Sequence, residues 1–300
     1  MTRLIWLASY PKAGSTWFRL LVANLAAADG APVDINRWPV NGGAASARAS
    51  FDNLLLIDSG LLTHDEADSL RPRLYETLAA GGDDDGATQA GAAPRFIKVH
   101  DAYTLTAKRE PLLAGRRCAA GVILIVRDPR DVAVSLAHHS RSTLDEAIGF
   151  MNSSEAGYCL ETDRQRSQLR QRLLGWSEHA ASWLEQSDLP VHLIRYEDLQ
   201  ADTFATFRRA LDFAGHATSD ELIRRAVGHA DFGELQRQEQ SLGFRESPRR
   251  AGSPFFRRGE AGAWRAELTT AQVGRIEAAH ASMMRRLGYQ LASASSVLAG

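Results

Sequence analysis

Two cysteines in 300 residues, Cys118 and Cys159, are too few for a disulfide framework. Neither stands in a Cys-x-x-Cys or Cys/His spacing that would hold a metal. An excess of charge is missing as well: 35 Lys plus Arg face 36 Asp plus Glu, leaving a net charge of −1. No global field therefore draws the chain to nucleic acid or to an acidic membrane, and an anionic ligand has to be held by a local pocket. Long apolar runs are absent too. The N-terminus passes one basic residue, Arg3, and enters an apolar run, of about half a dozen residues and shorter than the core of a secretion signal. No other stretch reaches the ~20 apolar residues of a membrane span. The expectation is a cytoplasmic protein with no metal, no membrane partner and no nucleic-acid partner; the oligomeric state stays open. Lysine is the scarcest charged residue. Lys12, Lys98 and Lys108 are the only three, so 32 of the 35 basic residues are arginine. Lysine offers a compact charge where arginine offers a wide planar fork. Two of the three lysines fall inside the segments that carry the chemistry below.

With 44% hydrophobic residues the chain has enough apolar side chains for a full core in one large α/β domain. Its organising stretch is Leu4 to Leu21. An apolar run stops at Tyr10-Pro11, passes through Lys12-Ala13-Gly14, and continues with Trp17, Leu20, Leu21, Asn24 and Leu25 at helical spacing. The stretch reads as strand, loop and helix, the helix running from about Ser15 to Ala28 with Ser15 or Thr16 as N-cap. Unpaired amide donors, the positive helix end and one ammonium would converge on one spot, an anion cradle. A nucleoside-triphosphatase loop requires Gly, four residues, then Gly-Lys-Ser/Thr. Here Lys12 comes two residues before Gly14.

Three further segments end strands in polar residues. Arg95 to Asp101 places Lys98 and His100 at i and i+2, so both project to the same side of a strand end. In open parallel sheets ligand groups gather at such strand ends. Gly121 to Val126 reads as a central strand buried on both faces, and Asp128, Pro129 and Asp131 announce a helix. Val191 to Arg195 reads as another strand, leading into Tyr196. Between these segments lie a small-residue loop over 29–50 and short helical patterns over 51–80, with Thr63 and Glu66 as a capping box. A low-complexity loop follows over 81–94, then a polar, acceptor-facing lid over 137–168. Its His138-His139 pair points about 100° apart on a helix, which favours solvent- or pocket-facing side chains over a metal site. An amphipathic helix is expected through Leu169, Leu173, Trp176, Ala180, Trp183 and Leu184, a flap from Ser241 to Pro254, and a last helix boxed by Thr269 and Gln272.

In combination these segments resemble the cytosolic-type sulfotransferases, including small-molecule enzymes of bacterial type, over about residues 3–289. The first loop is close to their 5′-phosphosulfate pattern Tyr-Pro-Lys-Ser-Gly-Thr-Thr-Trp, which implies cofactor contacts from Lys12, Ala13, Gly14, Ser15, Thr16 and Trp17. Lys98-Val99-His100 matches the family's Lys-x-His, whose His is the general base. That implies His100, Lys12 and Lys98 as the catalytic residues. Arg127 and Ser135, eight residues apart, have the spacing of the pair that binds the 3′-phosphate. Tyr196 and Phe232 fall where the family contacts and stacks on adenine, and Arg257, Arg258 and Gly259 lie in its Arg-Lys-Gly…Gly-Asp-Trp segment. Three departures stand out. Ala230 replaces a Thr and Ala263 an Asp. The family's dimer motif survives only as Arg265, Thr269, Thr270 and Gly274, so that dimer is not expected.

The resemblance implies one α/β domain over residues 1–290, with a mostly parallel central sheet flanked by helices in a P-loop-like fold, and a frayed tail over 291–300. It also implies 3′-phosphoadenosine 5′-phosphosulfate (PAPS) as donor, adenosine 3′,5′-bisphosphate (PAP) as product, no metal, and in-line transfer to a hydroxyl or amine of a small-molecule acceptor. A phosphate-loop kinase or NTPase, or a PAP-binding module without catalysis, are the alternatives.

Overall fold

The structure is a computed structural model describing residues 3–27, 30–37, 43–81, 93–163, 166–247 and 254–292. Most of the expected 81–94 loop, the middle of the flap and most of the tail lie outside the described residues. The strands are β1 (Leu4–Ser9), β2 (Arg95–Val99), β3 (Gly121–Val126), β4 (Gly157–Tyr158), β5 (Gln171–Arg172) and β6 (Val191–Arg195). The helices are α1 (Ser15–Ala26), α2 (Arg48–Leu55), α3 (His64–Ala80), α4 (Pro129–Ser140), α5 (Leu144–Met151), α6 (Trp176–Ala181), α7 (Tyr196–Ala201), α8 (Thr203–Ala214), α9 (Asp220–His229), α10 (Phe232–Leu242) and α11 (Thr270–Arg286). Among the described residues no helix is long and apolar enough to cross a membrane.

All six residues of β1 and all six of β3 are buried, because both faces of the sheet are covered. Side chains alternate between two cores. Trp6, Ala8, Val122 and Leu124 pack with Tyr75, Trp176, Trp183 and Met284 from α3, α6, the turn after α6 and α11. Ile5, Leu7, Ile123 and Ile125 pack on the other side with Phe18, Phe207, Leu211 and Ile223 from α1, α8 and α9. A continuous apolar run is what a strand with two dry faces requires.

Four strands pair in parallel in the order β2-β1-β3-β6, with Ala8 opposite Val99 and Leu124, and Val126 opposite Arg195. The chain leaves β1 for one neighbour and later returns to the other. The connections therefore diverge at the C-terminal end of β1 and open a crevice there, where open α/β sheets take their ligands. Strands β4 and β5 form a separate antiparallel ribbon.

Capping boxes form at Thr63–Glu66 and Thr269–Gln272, as their sequences predict. Two expectations fail. Gly14, not Ser15 or Thr16, is the N-cap of α1, and no side chain caps that end. The helix expected from Leu169 begins only at Trp176. Leu174 takes φ 61° and Gly175 is the N-cap, so residues 169–172 run extended and Gln171 pairs in the ribbon. Leu169, Leu173, Trp176, Ala180 and Trp183 are all buried in one core, which is why the apolar spacing looks helical throughout.

Candidate active site

The first loop is a tight turn in which Ala13 N–H donates to the Tyr10 carbonyl at 3.2 Å. Lys12 sits in the left-handed region at φ 69°, unusual for a residue with a side chain. Gly14 has φ 109°, and a Cβ there would lie 2.6 Å from Tyr196 Cδ2, so both backbone and space demand glycine. The first intrahelical bond of α1 runs from Phe18 N to Gly14 O. The amides of Ser15, Thr16 and Trp17 precede it and face forward without a cap, as an anion site needs. Ala13 itself is buried and does not line the cleft, its amide being spent on the turn.

At the end of β2, His100 Nδ1 lies 2.7 Å from the Ser9 carbonyl oxygen. A carbonyl only accepts, so Nδ1 carries the proton and the Nε2 lone pair is left as the basic site. Burial, then the Lys98 charge, pushes the imidazole well below its ordinary value, so it is neutral at neutral pH. Burial also lowers Lys98, while Glu246 Oε2 at 3.9 Å draws it back up. The Lys12 ammonium rests 3.9 Å over the Phe255 ring and 3.3 Å from His139 Nδ1. Burial and the neighbouring Lys98 and Arg127 bring it down to about 7. His139 falls to about 4, by burial and then by Lys12.

A second group gathers at the ends of β3 and β6. The Arg127 guanidinium stacks 4.3 Å over Tyr196 and donates to the Glu260 carbonyl at 3.0 Å, while its buried Nε has no partner among the described residues. Ser135 lies two turns further along α4 and lines the same cleft. The Tyr196 hydroxyl donates to the Gly259 carbonyl at 2.7 Å. Gly259 has φ 66°, and a Cβ there would meet Phe232 at 2.4 Å. Trp17 reaches the Ala230 carbonyl through Nε1 at 2.9 Å and meets the Tyr196 ring edge-on. Arg257 and Arg258 share Glu267 at 2.8 and 3.3 Å, and His138 holds its other oxygen at 2.8 Å.

One cleft of ≈ 730 Å³ is lined by every site residue expected from sequence except Ala13. Four more residues that line the cleft were not assigned there. Asp131, read only as a first-turn helix residue, accepts from Gly262 N at 2.6 Å and Trp264 N at 2.9 Å, pinning the Arg257–Gly259 segment to α4. Glu246 accepts from Arg19 at 2.8 Å and from the Thr16 hydroxyl at 3.2 Å. No local pattern marks Arg19 or Glu246. His139 did carry a signal: it lies four residues after Ser135, on the same helix face.

A family model described as a sulfotransferase domain matches residues 2–288. Among curated proteins the chain is similar to sulfotransferase 1A1 of Canis lupus familiaris, 27% identical over 208 residues, covering 65% of this chain and 64% of that one. It is also similar to luciferin sulfotransferase of Photinus pyralis, 26% identical over 231 residues, covering 76% and 55%. The chain thus matches less than two thirds of the length of either relative. Among solved structures, mouse sulfotransferase SULT7A1 complexed with PAP aligns with TM-score 0.57 at 19% identity, covering 94% of this chain and 84% of that one. Retinol dehydratase in complex with androsterone and inactive cofactor PAP aligns with TM-score 0.60 at 18% identity, covering 98% and 84%. These likenesses establish the fold.

Proposed function

Because the chain belongs to the sulfotransferase domain family, we propose that it moves a sulfuryl group from PAPS to a hydroxyl or amine of a small-molecule acceptor. When bound, this donor supplies the reacting group: its sulfur–oxygen bridge to the 5′-phosphate breaks as the acceptor's bond to sulfur forms, and PAP leaves with the electron pair. The observation that carries the reading is the convergence, at the ends of β1 and β2, of uncapped helix amides, Lys12, Lys98 and a neutral His100.

The residues suit such a ligand. The buried Nε of Arg127, without a partner among the described residues, and the two cradles at Gly14 and Gly259, where a Cβ would collide, are what a phosphorylated nucleotide needs. Lys12 and the Ser15, Thr16 and Trp17 amides would hold the 5′ side. Arg127, Ser135, Arg257, Arg258 and the Gly259 backbone would hold the 3′-phosphate. Trp17, Tyr196 and Phe232 would border the adenine.

His100 acts as the general base. Its Nε2 takes the acceptor proton while Nδ1–H stays on the Ser9 carbonyl, and burial, with the Lys98 charge beside it, keeps the ring neutral until then. Lys12, Lys98 and the helix amides face the place where negative charge develops, and they are positioned before reaction. Residence in the cytoplasm, with no nucleic-acid or membrane partner, belongs to the same reading.

Calorimetry with PAP beside ATP–Mg²⁺ tests the donor side: PAP is expected to bind more tightly, and preference for ATP–Mg²⁺ overturns the reading. His100→Ala tests the base. Turnover should fall by about 10²- to 10⁴-fold with PAP affinity unchanged, and near-native turnover removes His100 from the mechanism.

A further inference from the structure

The cleft continues past the outer strand β2, away from Arg127 and Tyr196. Ala45 N–H donates to the Lys98 carbonyl at 2.8 Å, and Ala47 bridges to Gln168, which brings Gln168 against the end of the sheet. The Gln168 carboxamide oxygen accepts from Gln171 Nε2 at 2.7 Å and from the Ser46 hydroxyl at 3.4 Å. Its NH₂, which has no acceptor among the described residues, is left for the cleft that Gln168 lines. His139 is fixed in a similar way. While Lys12 is protonated its ammonium has only hydrogens to give, so His139 Nδ1 then accepts from it and the ring proton resides on Nε2. Tyr158 lines the same space, its ring stacked on Phe150 at 5.9 Å. Ser140, one residue past His139, adds an exposed hydroxyl.

Gln168, His139, Tyr158 and Ser140 are polar and uncharged, and they line the same cleft as His100. The nearby carboxylate of Glu246 is already matched by Arg19 at 2.8 Å and by Lys98. It therefore makes no demand for a charged acceptor. A flat apolar acceptor would bury several donors without partners. A molecule carrying hydroxyls around a ring would pair them, and Tyr158 and Phe255 would receive its C–H faces.

We infer that the acceptor is a hydroxyl-rich, uncharged molecule of the sugar or polyol class, recognised by the Gln168 carboxamide, the His139 Nε2–H and the Tyr158 and Ser140 hydroxyls. This rests on the sulfuryl-transfer reading and narrows it. A site that hydrogen-bonds a substrate's hydroxyls favours it over analogues that lack them, because its polar groups are otherwise left unpaired. Its character differs from that of the retinol dehydratase complex, whose bound androsterone is a largely apolar steroid.

The test uses the full chain with PAPS and two acceptor panels followed by mass spectrometry. One panel holds methyl glycosides, neutral disaccharides and inositols; the other holds 2-naphthol and androsterone. Calorimetry beside it measures PAP binding to the free protein and acceptor binding to the PAP-saturated protein. The expected result is that a saccharide or inositol exceeds both apolar acceptors in kcat/KM by at least about tenfold. Gln168→Leu and, separately, Tyr158→Phe should raise KM for it and weaken its binding to the PAP complex by about tenfold, with PAP affinity unchanged. Tyr158→Phe keeps the ring and loses one hydroxyl, so it reads the contact even if Gln168→Leu disturbs the Ser46–Gln171 cluster. Transfer to 2-naphthol or androsterone in preference to every saccharide overturns the inference, as does transfer to no saccharide at all. Failure to bind PAP would count against the donor reading instead.

Discussion

At the scale of single residues, Lys12 decides how the site responds to pH. A lysine with its pKa near 7 is charged below that value and loses its proton as pH rises through it. PAP affinity should therefore fall from about pH 7 to pH 9, by up to about tenfold per unit. Lys12→Ala should bind more weakly throughout and lose that slope; equal slopes in calorimetry would mean another group titrates. Shape matters as much as charge. The ammonium is seated between the Phe255 ring and His139 on a left-handed backbone, which gives a planar guanidinium little room. Lys12→Arg should then cost about 10²- to 10³-fold in single-turnover sulfate transfer at saturating donor, close to the loss in Lys12→Ala. A near-native rate would reduce Lys12 to a counter-charge and move its role to Lys98 or the loop amides.

At the scale of elements, the sequence displays the start of α4 and conceals its use. Asp128 accepts from Arg130 N at 2.9 Å and Pro129 opens the helix, as their order predicts. Asp131, one turn in, reaches across 131 and 133 residues of chain to the Gly262 and Trp264 amides. Burial raises its carboxyl above the ordinary value, and Arg127 and the two amides offset only part of that rise. Asp131→Ala leaves two amide donors without their acceptor and should cost about 1–3 kcal/mol each at most in urea unfolding. It should also weaken PAP binding, because the segment carrying Arg257, Arg258 and Gly259 is released. Unchanged PAP affinity alongside a stability loss would confine Asp131 to a structural role. The start of α1 shows the reverse case, in which a missing cap has a use: with Gly14 at the N-cap, the forward amides remain for the cleft, while the Thr16 hydroxyl is held by Glu246.

At the scale of the whole molecule, a buried ion-pair network ties the helical layer to the reacting end of the sheet. Arg71, in the middle of α3 and fully buried, donates to both oxygens of Asp101 at 3.1 and 2.7 Å. Asp101 also accepts from Arg172 N at 3.1 Å, and Asp68 receives Arg170 at 2.6 Å. Asp101 follows His100 directly, so the network fixes the backbone that carries His100. Removing one partner of a buried pair is far more damaging than replacing both. Arg71→Met should destabilise by about 3–5 kcal/mol, while Arg71→Met with Asp101→Leu should recover much of that loss. Equal losses in the two variants, measured by urea unfolding, would mean the pair does not hold this region. The sequence shows Arg71 and Asp101 as ordinary charged residues, because nothing local records that both become dry.

Sequence by itself determined the strand-loop-helix around Lys12, the shared face of Lys98 and His100, the two-sided burial of β1 and β3, and the spacing of Arg127, just after β3, from Ser135 on α4. Each depends on a period of two or of 3.6 residues, or on turn chemistry, and these act over a few neighbours. Only the tertiary structure decided that Glu246 meets Arg19 and Thr16, that Asp131 latches the distal loop, and that Arg257 and Arg258 share Glu267. It also decided that the apolar spacing from Leu169 begins as extended chain. A buried side chain looks the same in sequence whichever element carries it. A pair separated by more than a hundred residues meets only because the packed sheet and helices bring two loops to the same end.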